Sequence, residues 1–353
     1  MTQTIVIVGG GVTGLAAAYN LHKQVKAAGK DARILVVEKD DKLGGKTQTE
    51  VVDGLVIEHG PDSFIAHKPW FGQLCKELGL DVVGTNPKIK STYIYHHGHL
   101  ERLPVGMQIM IPTEVVPFLK TRLLSPLGKL RAGLEPFIPI KKTDEDESIG
   151  SFVSRRFGRE ILENLAGPLM GGIYGGDWDG VSINATFPTF PKMEKEKGSL
   201  LLAGWSNKAN KPKGPTGSMF QTVPSGLRSA VDALIAASPS VEYMLGTAVT
   251  RLVPVGEKYE VTLSTGDTVD ADAVVLAAPA YVAAGLIEQF RSDVAAELNE
   301  IPYGNSCVVV MAYNRSDVNH PLDASGFLVP GNPPTGTTNP AQCATARTSR
   351  ALT

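Results

Sequence analysis

At 353 residues the chain is long enough for two domains and a substantial core, and a formal charge of -2 with 20% charged residues describes an ordinary water-facing surface. That balance excludes a basic surface built for nucleic acid. Three scattered cysteines, Cys75, Cys307 and Cys343, make neither a disulfide framework nor a metal cluster and suit a reducing cytosol.

Met1 to Thr4 lead straight into an apolar run, so no signal or transit peptide is expected, and no apolar stretch has the length of a membrane span. A cytoplasmic protein follows, with peripheral membrane contact left open. The run Ile5-Val6-Ile7-Val8 predicts a strand. It passes into Gly9-Gly10-Gly11-Val12-Thr13-Gly14, then an Ala-rich helical pattern from Leu15, then a second strand, Ile34 to Val37, ending in Glu38. Glycines at 9, 11 and 14 fit the dinucleotide fingerprint, which needs a tight turn, close backbone approach to a pyrophosphate, and close helix–strand packing. The helix start offers unpaired N–H groups to phosphates. Glu38 is placed to accept a hydrogen bond from a ribose hydroxyl. A plain glycine-rich turn explains the glycines but not the flanking strands and terminal acid. The fingerprint alone does not separate FAD from NAD. The second glycine pair, Gly44-Gly45, followed by Lys46, points to another close backbone approach to the cofactor.

Farther along, Thr49 to Glu58 predicts a hairpin turning at Asp53-Gly54. It delivers a fixed irregular loop, Glu58-His59-Gly60-Pro61-Asp62-Ser63-Phe64, and a short helix from Phe71 to Leu78 closed by Gly79. His96, His97 and His99 sit at the tip of a strand and turn, and read as a solvated turn rather than as metal ligands. Residues 110–140 are apolar, helical in period and broken by prolines, with Lys120, Arg122, Lys129 and Arg131 among leucines. A membrane-surface helix pair, the rim of a substrate cavity, and a helical subdomain with a solvated basic face all fit that pattern; the last is the plainest. A helix from Ser148 carries the stripe Phe152, Val153, Phe157, Ile161, Leu162 and Leu165 and is expected to end near Gly167-Pro168. The following Leu169 to Asp177 is too glycine-rich for helix throughout, and its two glycine pairs hold Ile173 and Tyr174 against something flat or bulky. Strands are expected at 241–253 and 259–263, and Val269 to Pro279 reads as one buried parallel strand. The chain thereby returns to the nucleotide domain, which makes the stretch between an insertion.

The fingerprint followed by Glu38-x(4)-Leu43-Gly44-Gly45-Lys46 resembles the FAD-binding superfamily of amine oxidases, phytoene desaturases and protoporphyrinogen oxidases. With Glu58 to Phe64, Gly172-Ile173-Tyr174-Gly175-Gly176-Asp177, Thr186-Phe187-Pro188 and Glu196 to Leu200, the resemblance is closest to the protoporphyrinogen/coproporphyrinogen III oxidase family, in its soluble bacterial branch. It covers about Thr4 to Val329. The implied fold is α/β: a Rossmann-like FAD-binding domain with inserted substrate-binding and helical regions, C-terminally incomplete. The expected boundaries are 1–85 and 218–285 for a discontinuous FAD-binding domain, 86–110 and 286–330 for a substrate-binding domain, 111–217 for a largely helical insertion, and 331–353 for a disordered or aberrant tail.

The resemblance implies FAD-dependent oxidation of coproporphyrinogen III to coproporphyrin III, with dioxygen as acceptor and hydrogen peroxide as product, in haem biosynthesis. The alternatives are protoporphyrinogen IX as substrate, or an inactive truncated member. Other haem-pathway enzymes are the implied protein partners. No catalytic side chain and no metal is implied, because the flavin carries the chemistry. For FAD the implied residues are Gly9, Gly11, Gly14, Glu38, Gly44, Gly45, Lys46 and Val249, with Gly60 and Pro61 near the flavin ring. For substrate they are Ile173 and Tyr174 against the macrocycle and Lys68 for a propionate, with Arg102 and Arg131 as weaker candidates.

Overall fold

The structure is a computed structural model that describes residues 2–86, 89, 91–108, 110–174, 178–209, 218–330 and 345–347, with side chains at 108, 173–174, 207–209 and 345–347 excepted. The chain forms two compact units, each made of two separated stretches: Met1–Thr85 with Gly217–Ala312, and Asn86–Thr216 with Tyr313–Thr353.

In the first unit, strand β1 (Gln3–Val8), helix α1 (Val12–Ala27) and strand β2 (Ala32–Val37) follow one another as the hydrophobic pattern predicts. The sheet runs Val241–Met244, β2, β1, Ala273–Leu276, all parallel, with Ile7 level with Val36 and Val275. Val6, Ile7, Ile34 and Val36 are fully buried, as a sheet covered on both faces requires. The Thr49–Val52 and Leu55–Glu58 strands pair antiparallel across Asp53-Gly54, both at positive φ, the geometry of a two-residue hairpin turn. A three-stranded antiparallel sheet follows, 249–255, 258–263 and 268–271. The expected single strand from Val269 is thus two strands in two sheets. They part at Asp272, whose carboxylate accepts from the Thr4 N–H at 2.7 Å and pairs with Lys258 at 3.1 Å. A polar residue that finds its partners at the sheet's edge ends one ladder and starts the next.

The second unit is built around Phe152, Val153, Phe157, Ile161, Leu162 and Leu165, all buried. The helix expected from Ser148 ends at Phe157, where Gly158 stands at φ 95°, and a second helix then runs past Gly167-Pro168 instead of stopping there. Residues Arg159–Ile161 are α-helical, Leu162–Ala166 open into a wide π turn, and Gly167–Tyr174 continue as α-helix. Pro168 lacks an N–H and its ring would press on the carbonyl four residues back; the wide turn accommodates it without ending the helix. The Ile149–Phe157 helix anchors a charged network invisible to hydrophobic patterning. Arg156 and Glu135 are both fully buried and paired to each other. Arg156 also donates to the Ile138 and Gly198 carbonyls at 2.9 Å, while Glu135 accepts from the N–H groups of Leu200 and Leu201 at 3.0 and 3.2 Å and so caps the Leu200–Ala209 helix. Of the tail expected to lack structure, only Thr345–Arg347 are described; they form a strand antiparallel to Gly326–Leu328.

Candidate functional site

The turn between β1 and α1 is packed to its limit on one side and open on the other. A Cβ on Gly14 would stand 1.9 Å from the Gly9 carbonyl oxygen, and one on Gly9 would stand 2.8 Å from that of Ala277. Only glycine permits α1 and the two parallel strands to approach this closely. A Cβ on Gly11, by contrast, would meet nothing within 4 Å. Gly11 is also the N-cap of α1, where no side chain caps the helix and no acid occupies the first turn. Backbone N–H groups and the positive end of the helix dipole therefore face open space, suited to a phosphate.

The second glycine pair joins the first. The Gly44 N–H donates to the Gly10 carbonyl at 2.8 Å, Gly11 and Gly44 form a parallel bridge, and a Cβ on Gly45 would lie 3.3 Å from the Gly11 Cα. Two sequence motifs 30 residues apart are thus a single backbone cradle. Glu38 is buried behind it, and its carboxylate accepts the Gly10 N–H at 2.6 Å and the Asp40 N–H at 2.9 Å. It ties β2 to the turn, and each oxygen keeps a lone pair for a ribose hydroxyl.

Lys46 is exposed, and its backbone carries the cradle onward. A Cβ on Gly60 would stand 2.1 Å from the Lys46 carbonyl oxygen, so the Gly60-Pro61 loop packs directly on the Gly44–Lys46 strip. Val249 reaches the region from the opposite side. The Gly246 and Thr247 N–H groups donate to the Asp40 and Glu38 carbonyls at 2.9 and 3.0 Å, which lays the chain just before Val249 along the end of β2. Val249 itself sits where the pairing register shifts, so one step of the ladder is skipped beside it. Gly9, Gly11, Gly14, Glu38, Gly44, Gly45, Lys46 and Gly60 are therefore linked by short contacts within one unit, while Pro61 and Val249 adjoin segments that make such contacts.

Sequence reasoning missed two side chains that hold this cradle. Arg228 donates to the Leu43 carbonyl at 2.7 Å and the Gln48 side-chain oxygen at 2.9 Å, and Gln48 donates to the Gly45 carbonyl at 3.0 Å. No local motif links residues so far apart in the chain. Glu58, at the hairpin's end, does similar work: it accepts from Thr49 Oγ1 at 2.6 Å and the Leu227 N–H at 2.7 Å.

The substrate candidates fare differently. Lys68 is exposed at the N-cap of the Pro69–Glu77 helix, with no ion-pair partner among the described residues. Ile173 and Tyr174 end the Gly167–Tyr174 helix of the other unit, and their side chains lie outside the described residues. Arg102 is committed to Asp323 and to the face of Tyr93. Arg131 donates to the Arg155 and Arg156 carbonyls at 2.8 and 3.1 Å, capping a helix end.

The family model for flavin containing amine oxidoreductases matches residues 12–347. The chain belongs to this family. Within it, the coproporphyrinogen III oxidase of Bacillus subtilis (strain 168) is 35% identical over 93% of this chain and 70% of its own length. That of Propionibacterium freudenreichii subsp. freudenreichii is 34% identical over 92% and 66%. The chain thus spans roughly two thirds of these relatives' length. Protoporphyrinogen oxidase 2 of Arabidopsis thaliana is 27% identical over 93% of this chain and 68% of its own length. Among solved structures, a provisionally named protoporphyrinogen oxidase of Exiguobacterium sp. 255-15 superposes with a TM-score of 0.77 at 28% identity, over 94% of this chain and 70% of that one. Cyclohexylamine oxidase of Brevibacterium oxydans IH-35A shares the fold, with a TM-score of 0.56 at 18% identity over 85% of this chain and 63% of that one. FAD is the cofactor of this family, and the open face at Gly11, the uncapped helix and the double glycine cradle fit its pyrophosphate.

Proposed function

We propose that this chain oxidises coproporphyrinogen III to coproporphyrin III in haem biosynthesis, in the cytoplasm. The observation that carries this reading is the similarity, across nearly all of this chain, to coproporphyrinogen III oxidases, three at 33–35% identity and two at 28%, against 26–27% for plant protoporphyrinogen oxidases. Protoporphyrinogen IX, which carries fewer carboxylates, is the second reading and rests on those more distant relatives.

FAD, when bound, supplies the two-electron acceptor, and three such rounds remove the six electrons and six protons, with three dioxygen molecules leaving as hydrogen peroxide. The protein's own part is binding and orientation. Gly9, Gly11 and Gly14 receive the pyrophosphate, Glu38 a ribose, Gly44 to Lys46 the next stretch of the cofactor, and Val249 the adenine side through its backbone. Gly60 and Pro61 lie toward the flavin ring. Lys68 takes a propionate of the substrate, and Ile173 and Tyr174 pack on the macrocycle. No acid–base side chain is assigned.

Peroxide release from coproporphyrinogen III and protoporphyrinogen IX, compared under the same conditions, tests the reading. Faster turnover of coproporphyrinogen III is expected. Faster turnover of protoporphyrinogen IX would reverse the assignment, and no turnover of either alongside a full flavin spectrum would end it.

A further inference from the structure

The Arg228–Ala236 helix starts without a cap of its own: Leu227, at its N-cap, offers no side-chain acceptor, and no acid stands in its first turn. The acceptors come from another element. Glu58 accepts the Leu227 N–H at 2.7 Å and Thr49 Oγ1 accepts the Arg228 N–H at 3.0 Å. The two are joined by the Thr49 hydroxyl, which donates to the second Glu58 oxygen at 2.6 Å. Thr49 and Glu58 lie opposite each other at the open end of the 49–58 hairpin. Gly226, at φ 93°, lets the helix come this close, since a Cβ there would stand 2.3 Å from the Thr49 methyl carbon. A carboxylate at this end also complements the helix dipole.

The borrowed cap fixes where the first side chain of the helix goes. Arg228, with its Nε held by Asp232 at 2.9 Å, reaches the Leu43 carbonyl and the Gln48 side-chain oxygen, and Gln48 donates in turn to the Gly45 carbonyl. The His59 N–H donates to the Gln48 carbonyl at 2.9 Å and closes the circuit back to the hairpin. We propose that Thr49 and Glu58 are positioning residues for FAD: by capping the 228–236 helix they aim Arg228 at the Gly44-Gly45 loop, so that hairpin docking and flavin binding are linked. The inference rests on FAD occupying this cradle. Linkage is reciprocal, so whatever hairpin docking lends to flavin affinity, flavin returns to hairpin docking. Among the described residues the hairpin pairs with no other strand, and a lone two-stranded ribbon is marginal in water, which makes that return measurable.

FAD titration of the apoprotein, followed by flavin fluorescence, tests the proposal together with amide exchange. Thr49→Val and Glu58→Ala should each raise the FAD Kd about tenfold, and Thr49→Ser, which keeps the hydroxyl, should restore it. The Kd of E58A/R228M should stay within about threefold of that of Arg228→Met, because the cap acts through that side chain. In the wild-type chain FAD should slow exchange at the Leu227 and Arg228 amides, and Arg228→Met should lose that slowing. An unchanged Kd in Thr49→Val and Glu58→Ala, or effects of Glu58→Ala and Arg228→Met that simply multiply, overturns the proposal. So does exchange at both amides that ignores FAD, a measurement on the wild-type chain that stands even if a variant fails to fold. A wild-type chain that takes up no flavin would end the reading of the cradle itself, and the proposal with it.

Discussion

Replacing Arg156 with Met removes the cation at the centre of the second unit and leaves Glu135 buried with only Ser199, Leu200 and Leu201 to donate to it. Breaking a fully buried pair from one side costs about 3–5 kcal/mol, because the remaining charge keeps its desolvation penalty. Against a total stability of roughly 5–15 kcal/mol, that is a large loss. Replacing Glu135 with Leu leaves Arg156 to the Glu194 carboxylate at 3.4 Å and two carbonyls, a smaller loss on that side, and orphans two helix N–H groups, at about 1–3 kcal/mol each. The double variant R156M/E135L removes both charges, so its cost should fall short of the summed single costs by about 2 kcal/mol. Urea unfolding followed by tryptophan emission reads this unit well: Trp178 is buried within it, whereas Trp70, in the other unit, is largely exposed and shifts little. Single variants within about 1 kcal/mol of wild type, or costs that simply add, would refute the view that this pair is a coupled, desolvated unit.

Three further expectations concern the cofactor cradle and the effect of acid. Gly14→Ala drives a methyl into the Gly9 carbonyl and should abolish flavin retention, measured by absorbance after gel filtration, while Gly11→Ala, with space around it, should fold normally and weaken only flavin binding; equal folding and equal flavin content in both would contradict the two-sided description of the turn. Arg228→Met removes the clamp on Leu43 and Gln48 and should raise the FAD dissociation constant about tenfold, the worth of a hydrogen bond or two to a charged donor. Burial pushes the Asp323 carboxyl up, but the Tyr93 hydroxyl and Arg102 outweigh it and hold it below the ordinary aspartate value. The stabilisation is then complete above the ordinary value, near 3.9, and is lost as pH falls through the lower folded value. Thermal melts from neutral pH down to about pH 3 should show Asp323→Asn losing the gap to wild type at the acid end; a constant gap would speak against it.

The parts of this protein that local chemistry dictates were legible in its sequence. Apolar runs, a glycine spacing and a terminal acid define β1, α1 and β2, and Asp53-Gly54 marks a hairpin, because each depends on neighbours within a few residues. Motifs separated by 30 residues also pointed to one cofactor, although the bridge between Gly11 and Gly44 that unites them is tertiary. Other features needed the fold. Nothing local marks Arg228 as the partner of Leu43 or Glu135 as the partner of Arg156, because each contact joins residues far apart in the chain. The continuation of the helix beyond Pro168 defied the usual rule because packing, including a glycine at 167 whose Cβ would press on Trp178, outweighs the missing hydrogen bond.

That wide turn at Leu162–Ala166 also divides one helix into two mechanical pieces. The buried Ile161 and the Glu160 carboxylate, which accepts from Ser125 Oγ at 2.8 Å, fix the residues before it, and the last two turns begin after it with their own hydrogen-bond phase. Amide exchange should show the division as a step in protection between Leu165 and Met170 rather than a gradual fraying, so that the end of the helix opens as a block while its root stays closed.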